Sequence, residues 1–172
     1  MRTLLPLLLG FLLPMASMAQ QLLPATGEFL VNQNVPCDQY LLQVAVGPSN
    51  DYVVVWKSWQ QDGSSGSIYF RRYNSANLAL SDEILVATGV SYSESDVVKV
   101  IYWTDGKYII AWNAGSSMNM RVLDTDNSMS AIVALSSGSK GDISVRGNTL
   151  ATLYGSGSGA LYLRGNDLAA NA

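Results

Sequence analysis

One pattern limits this chain more than any other: an apolar run, a Gly/Ser-rich turn and an arginine-bearing run return three times in that order. Asn50-Asp51-Tyr-Val-Val-Val-Trp56 leads to Asp62-Gly-Ser-Ser-Gly66 and then to Arg71 and Arg72. Gly106-Lys107-Tyr-Ile-Ile-Ala-Trp112 leads to Gly115-Ser-Ser117 and Arg121. More weakly, Asn148-Thr149-Leu-Ala-Thr-Leu-Tyr154 leads to Gly155-Ser-Gly-Ser-Gly159 and Arg164. A recurrence of about 50 residues belongs to stacked or radial repeats, whose units bury their apolar faces against one another. The runs are short and rich in Val, Ile, Tyr and Trp, and none sustains an i, i+3, i+4, i+7 apolar stripe. They read as strands.

The pattern predicts an all-β fold of about three four-stranded antiparallel units resembling propeller blades, a partial or open β-propeller. Unit one, residues 34–88, supplies strands at 43–46, 52–56, 68–73 and 83–88. Unit two, residues 89–136, supplies 97–103, 108–113, 118–123 and 131–136. Unit three, residues 137–172, supplies 143–146, 149–154 and 161–164, and is one strand short. Glu28-Phe-Leu-Val-Asn32 closely matches Glu83-Ile-Leu-Val-Ala87. It is the candidate for the missing strand, because an incomplete sheet leaves a row of unpaired N–H and C=O groups. Closed propellers use roughly four to eight blades, so three do not make a ring. Three arrangements follow. Two chains form a six-bladed ring, each N-terminal strand completing its partner's last blade; or the sheets stack openly; or the chain is a truncated member of a longer repeat protein.

The first residues are set apart from this fold. Arg2, the apolar run from Leu4 to Leu13 and the small residues Ser17 and Ala19 make a secretory signal peptide over residues 1–19. The run is too short to span about 30 Å of hydrocarbon. Residues 20–172 are then the exported domain, whether extracellular, periplasmic or on the cell surface. Ten Lys and Arg stand against thirteen Asp and Glu, for a net charge of −3. Only Arg71 and Arg72 adjoin, so no basic stripe exists for nucleic acid or an anionic membrane. Cys37 is the single cysteine, which excludes a disulfide scaffold. It is either a small buried hydrophobe or an intermolecular disulfide partner. There is no histidine, which removes His-based triads and the usual His-containing zinc sites.

Residues 50–88 resemble a β-propeller-like repeat found in large secreted bacterial proteins of the RTX and adhesin type. The resemblance is carried by Tyr52-Val-Val-Val-Trp56-Lys-Ser58, Gln61-Asp-Gly-Ser64, Gly66-Ser-Ile-Tyr69, Arg72-Tyr73 and Glu83-Ile-Leu-Val86. It is fair over residues 95–123, where the Gln-Asp-Gly-Ser turn is missing, and poor after Ala131. It implies a blade-like fold and an extracellular location more than any activity.

Each candidate functional residue has two roles open to it. Trp56, Trp112 and Tyr154 end strands, and there they either pack sheets together or offer sugar-stacking platforms, with Arg72, Asp96 and Asn113 as polar partners. Trp59 lies in the polar run Lys57-Ser-Trp-Gln-Gln-Asp62, where an exposed ring is a contact residue. Asp62 begins a hairpin turn or a calcium loop. Asp124 and Asp126 open an oxygen-rich stretch that lacks the glycine and glutamate of a complete calcium loop, with Met129 and Leu135 in their places. Glu83, Glu94 and Asp96 are the carboxylates for acid–base work, but no spacing fixes a hydrolytic pair. The expectation is a non-enzymatic binding or adhesion module for a carbohydrate or a surface protein, with no cofactor beyond calcium. A structural repeat without activity and a carboxylate-based glycan hydrolase are the alternatives.

Overall fold

A computed structural model of the chain describes residues 27–90, 97–138, 141–155 and 159–169. The expected leader, Glu94, Asp96 and most of the last Gly-Ser run lie outside the described residues. Eleven strands occur, and no α-helix is found among the described residues. The first sheet is β1 (Gln39–Val46), β2 (Tyr52–Ser58), β3 (Ser67–Tyr73) and β4 (Ile84–Ala87). The second is β5 (Val98–Tyr102), β6 (Tyr108–Ala114), β7 (Ser117–Leu123) and β8 (Val133–Ser136). The third is β9 (Asp142–Arg146), β10 (Thr149–Gly155) and β11 (Leu161–Asp167). Every sheet is an antiparallel meander with its strands in chain order.

The sequence fits these hairpins locally. Asn50, Gly106 and Gly147 take positive φ between the first and second strands of their sheets. Asx and glycine residues reach that region at least cost. Asn77 and Asn127 do the same between the third and fourth strands. In those two loops Asn74 and Asp124 use their carboxamide or carboxylate oxygens to cap following amides. Leu41 also has positive φ, at the bulge where β1 shifts register against β2.

Equivalent positions align through the pairing registers. Val54 faces Arg71, Ile110 faces Arg121 and Thr152 faces Arg164. Two apolar layers join the sheets. Val53, Val55, Ile68 and Phe70 of the first sheet pack with Val98, Val100, Ile110 and Trp112 of the second. Ile109, Ala111, Met118 and Met120, on the other face of the second sheet, pack with Ile143, Leu150 and Leu168. The first strands of the three meanders are neighbours, with β1 beside β5 and β5 beside β9.

Within one chain, residues 28–32 do not add to the third sheet. They form no strand, and the third sheet remains three-stranded with β11 at its edge. The segment lies against the first sheet instead. The Val31 carbonyl accepts hydrogen bonds from Arg71 Nη1 at 2.8 Å and from the Tyr73 hydroxyl at 3.0 Å. Phe29 packs its ring on Tyr73, with centroids 5.4 Å apart.

Candidate functional site

A cleft lies between β4 and the β6–β7 hairpin, beside one of the proposed contact residues. It has a volume of about 350 Å³, and Trp112 lies in its wall. Leu85 and Ile132 form its rim, and residues 88–90 carry the chain across one side toward the second sheet. Asn119 and Arg121 enter it because both lie on the same face of β7 as alternate residues. Arg121 Nη1 donates to the Val86 carbonyl at 2.9 Å and so spans the two sheets. Its Nε is buried and has no hydrogen-bond partner. A buried donor without a partner costs stability unless something else supplies an acceptor. The lining holds no carboxylate, so what it offers is hydrogen bonding beside an apolar wall.

The sequence-derived residues do not converge on one place. Trp56 and Trp112 are each 1 % exposed: Trp112 packs in the layer between the first and second sheets, and Trp56 stacks on Tyr69. Tyr154, the third member of that aligned set, is half-buried and stacks on Tyr162 at 5.5 Å. Trp59 is half-buried just past β2, where its amide donates to the Asp38 carbonyl at 2.9 Å. Arg72 is buried rather than ligand-facing. Its guanidinium donates to the carbonyls of Gly106 at 3.2 Å and Asp124 at 2.8 Å and lies 5.3 Å from the Tyr108 ring centroid. Arg72 therefore ties β3 to two loops of the second sheet. Tyr108 makes a second tie, donating to Asp51 Oδ2 at 3.0 Å. Burial and the Asp51 carboxylate both push the Tyr108 hydroxyl pKa up. Gly47 leaves room for that tie, since a Cβ there would meet the Tyr108 oxygen at 2.7 Å. Asn113 is buried as well.

The acidic candidates have local partners. Asp62 Oδ1 accepts from the Ser64 amide and hydroxyl, and Oδ2 from the Ser67 and Thr88 hydroxyls. Four donors occupy the four lone-pair sites of a carboxylate, which leaves a calcium ion little to bind. Desolvation opposes its ionisation, but these donors outweigh it and hold the Asp62 carboxyl well below the usual range. Gly63, with φ +81°, completes the turn. Asp124 pairs with Lys107 at 2.8 Å, and that bond lowers its pKa. Asp126 accepts from the Ser128 amide, and Ser128 holds its carboxyl low too. No group of three or more Cys, Asp or Glu residues suited to a metal occurs among the described residues. Glu83 ties residues 33–34 to the first sheet by accepting from the Gln33 and Asn34 amides and from Gln61 Nε2. Cys37 is free and half-buried.

Sequence reasoning missed Asn119, Arg121 and Ile132 as a group. Arg121 alone carried a signal, as the second sheet's copy of the repeating arginine. Compared with protein-family models, curated proteins and solved structures, the chain matches none.

Proposed function

We propose that this protein is a secreted, non-enzymatic binding module, a segment of β-propeller that holds a carbohydrate or a surface-protein segment in the cleft between β4 and β6–β7. The cleft carries this reading, because the Arg121 side chain, a hydrogen-bond donor, lines it. Asn119 adds a donor and an acceptor, and Ile132 and Trp112 give an apolar wall. The propeller arrangement is supported by three in-order meanders whose first strands lie side by side. It is supported further by the resemblance of residues 50–88 to blade-like repeats of secreted proteins. Export is supported by the leader-like residues 1–19. No helix among the described residues is long and apolar enough to cross a membrane.

A glycan array probed with the folded protein tests the proposal. Binding to one glycan class, weakened at least about tenfold in Asn119→Ala with an unchanged circular dichroism spectrum, is the expected result. Binding unaffected by Asn119→Ala places the ligand elsewhere, with Trp59→Ala as the next variant. No binding to any glycan or surface-protein extract overturns the module reading in favour of a purely structural repeat.

A further inference from the structure

Three observations concern the two ends of the sheet series, and they agree. The first is a repeated arginine–carbonyl bond. Arg71 donates to the Val31 carbonyl at 2.8 Å, Arg121 to the Val86 carbonyl at 2.9 Å and Arg164 to the Leu135 carbonyl at 3.5 Å. Val86 lies in β4 and Leu135 in β8, the outer strands of the sheets preceding Arg121 and Arg164. Val31 thus stands to the first sheet as the outer strand of a preceding sheet would stand. Its neighbours agree, because Glu28-Phe-Leu-Val31 repeats Glu83-Ile-Leu-Val86.

The second observation is an open edge. β3 is covered by β4 and β7 by β8, whereas among the described residues no strand covers β11 in its sheet. The third is a pair of bare faces. Ile68 and Phe70 are covered by the second sheet, and Met118 and Met120 pack in the layer against the third. Their equivalents Leu161 and Leu163 are 75 % and 76 % exposed. At the other end, Val44 holds the position of the buried Val100 and Ile143, yet Val44 is 60 % exposed, with Leu42 and Val46 exposed beside it. Each end offers the surface that the other end needs. One chain does not bring them together, since the second sheet packs between the first and third.

We propose that two copies of this chain associate head to tail, each third sheet receiving residues 28–32 and β1 of the other copy, to close a ring of six sheets. The occupant is a second copy because the missing outer strand is specified by a sequence this chain already carries in the matching position. A head-to-tail contact closes only if its rotation returns to the start, and six sheets fall within the closed-ring range. The register follows from the other two sheets. Tyr69 faces Leu85 and Asn119 faces Ala134, so Tyr162 faces Leu30 of the second copy. Phe70 faces Ile84 and Met120 faces Val133, so Leu163 faces Phe29. The ring rests on the propeller arrangement proposed above and is independent of any ligand.

Light scattering on the secreted chain reads the outcome directly. A mass twice that of one chain is expected, falling to one chain in Leu161→Asp/Leu163→Asp with an unchanged circular dichroism spectrum. Those side chains are already exposed in the single chain, so the variant still folds. In a Cys37→Ser background, Leu30→Cys/Tyr162→Cys is expected to form a disulfide between chains, seen as a dimer on non-reducing gels. A stable monomer at tens of micromolar, an open-ended series of larger species, or a disulfide formed within one chain each overturns the ring. A ring that binds no glycan leaves the assembly standing and removes only the ligand reading.

Discussion

The first and third sheets are built to one plan but differ in what covers them. Val53 and Val55 of the first sheet are fully buried, while their equivalents in the third are the half-exposed Ala151 and the exposed Leu153. Ile68 and Phe70 are sealed, while Leu161 and Leu163 are open to solvent. Burying one such side chain stabilises by about 1.5–3 kcal/mol. The first sheet has gained that on this face, and the third would gain it on the proposed docking. The difference lies in position rather than in composition, since both faces are apolar. In this fold a sheet is finished by its neighbour.

Core truncations give the strongest contrast. In the dissociated Leu161→Asp/Leu163→Asp background, Ile110→Ala is expected to cost about 2–5 kcal/mol in urea unfolding, because it opens a cavity between two sheets. Leu153→Ala, on the bare face, is expected to change stability by less than about 0.5 kcal/mol. Equal losses would erase the distinction between the two faces.

The arginines come next. Arg72→Ala removes a buried guanidinium bonded to two carbonyls of the second sheet, and a loss of about 2–3 kcal/mol is expected. Arg164→Ala, exposed and with a long bond, is expected to lose less than about 0.5 kcal/mol in the same background. Thermal melts of the two variants side by side measure this.

Two smaller effects depend on pH. The Tyr108 hydroxyl is held neutral in the folded chain, with its pKa raised above that of the unfolded chain. Its contribution is complete below about pH 10 and is lost as pH rises toward the folded pKa. Tyr108→Phe is expected to cost about 1 kcal/mol at neutral pH and to flatten the alkaline loss. Asp62 runs the other way. Its depressed pKa gives stability above the unfolded carboxyl range that is lost as pH falls below about 5. Asp62→Asn is expected to lower the melting temperature slightly at pH 7 and to shrink the gap from wild type in acid. Melts across pH 3–7 and pH 9–12 read both signs.

Much of this architecture was legible in the residues. Alternation and turn chemistry located all eleven strands, and Val54, Ile110 and Thr152 do occupy equivalent places. Strand ends were less visible where they are polar: β2 runs on to Ser58, β3 starts at Ser67 and β11 continues through Gly165-Asn166-Asp167. Apolar periodicity carries no signal at such residues. The likeness of residues 28–32 to 83–87 was visible, but their resting place was not. It depends on Arg71 and Tyr73 meeting one carbonyl, a contact 40 residues away in sequence. The candidate site was legible only through Arg121. The tryptophans drew attention as large rings at strand ends, and the geometry buries two of them. Asn119 and Ile132 matter only because two sheets bring them to one cleft.

Amide hydrogen exchange, followed as the protein is diluted from high concentration, reads the covered and open sheets in one experiment. The amides of β2 and β6 are expected to stay protected throughout. Those on the free edge of β11 are expected to be protected when the chains are associated and to exchange rapidly on dilution. β11 edge amides with the same protection at every concentration would contradict the proposed difference between the ends, and so would β2 amides that exchange as fast as β11.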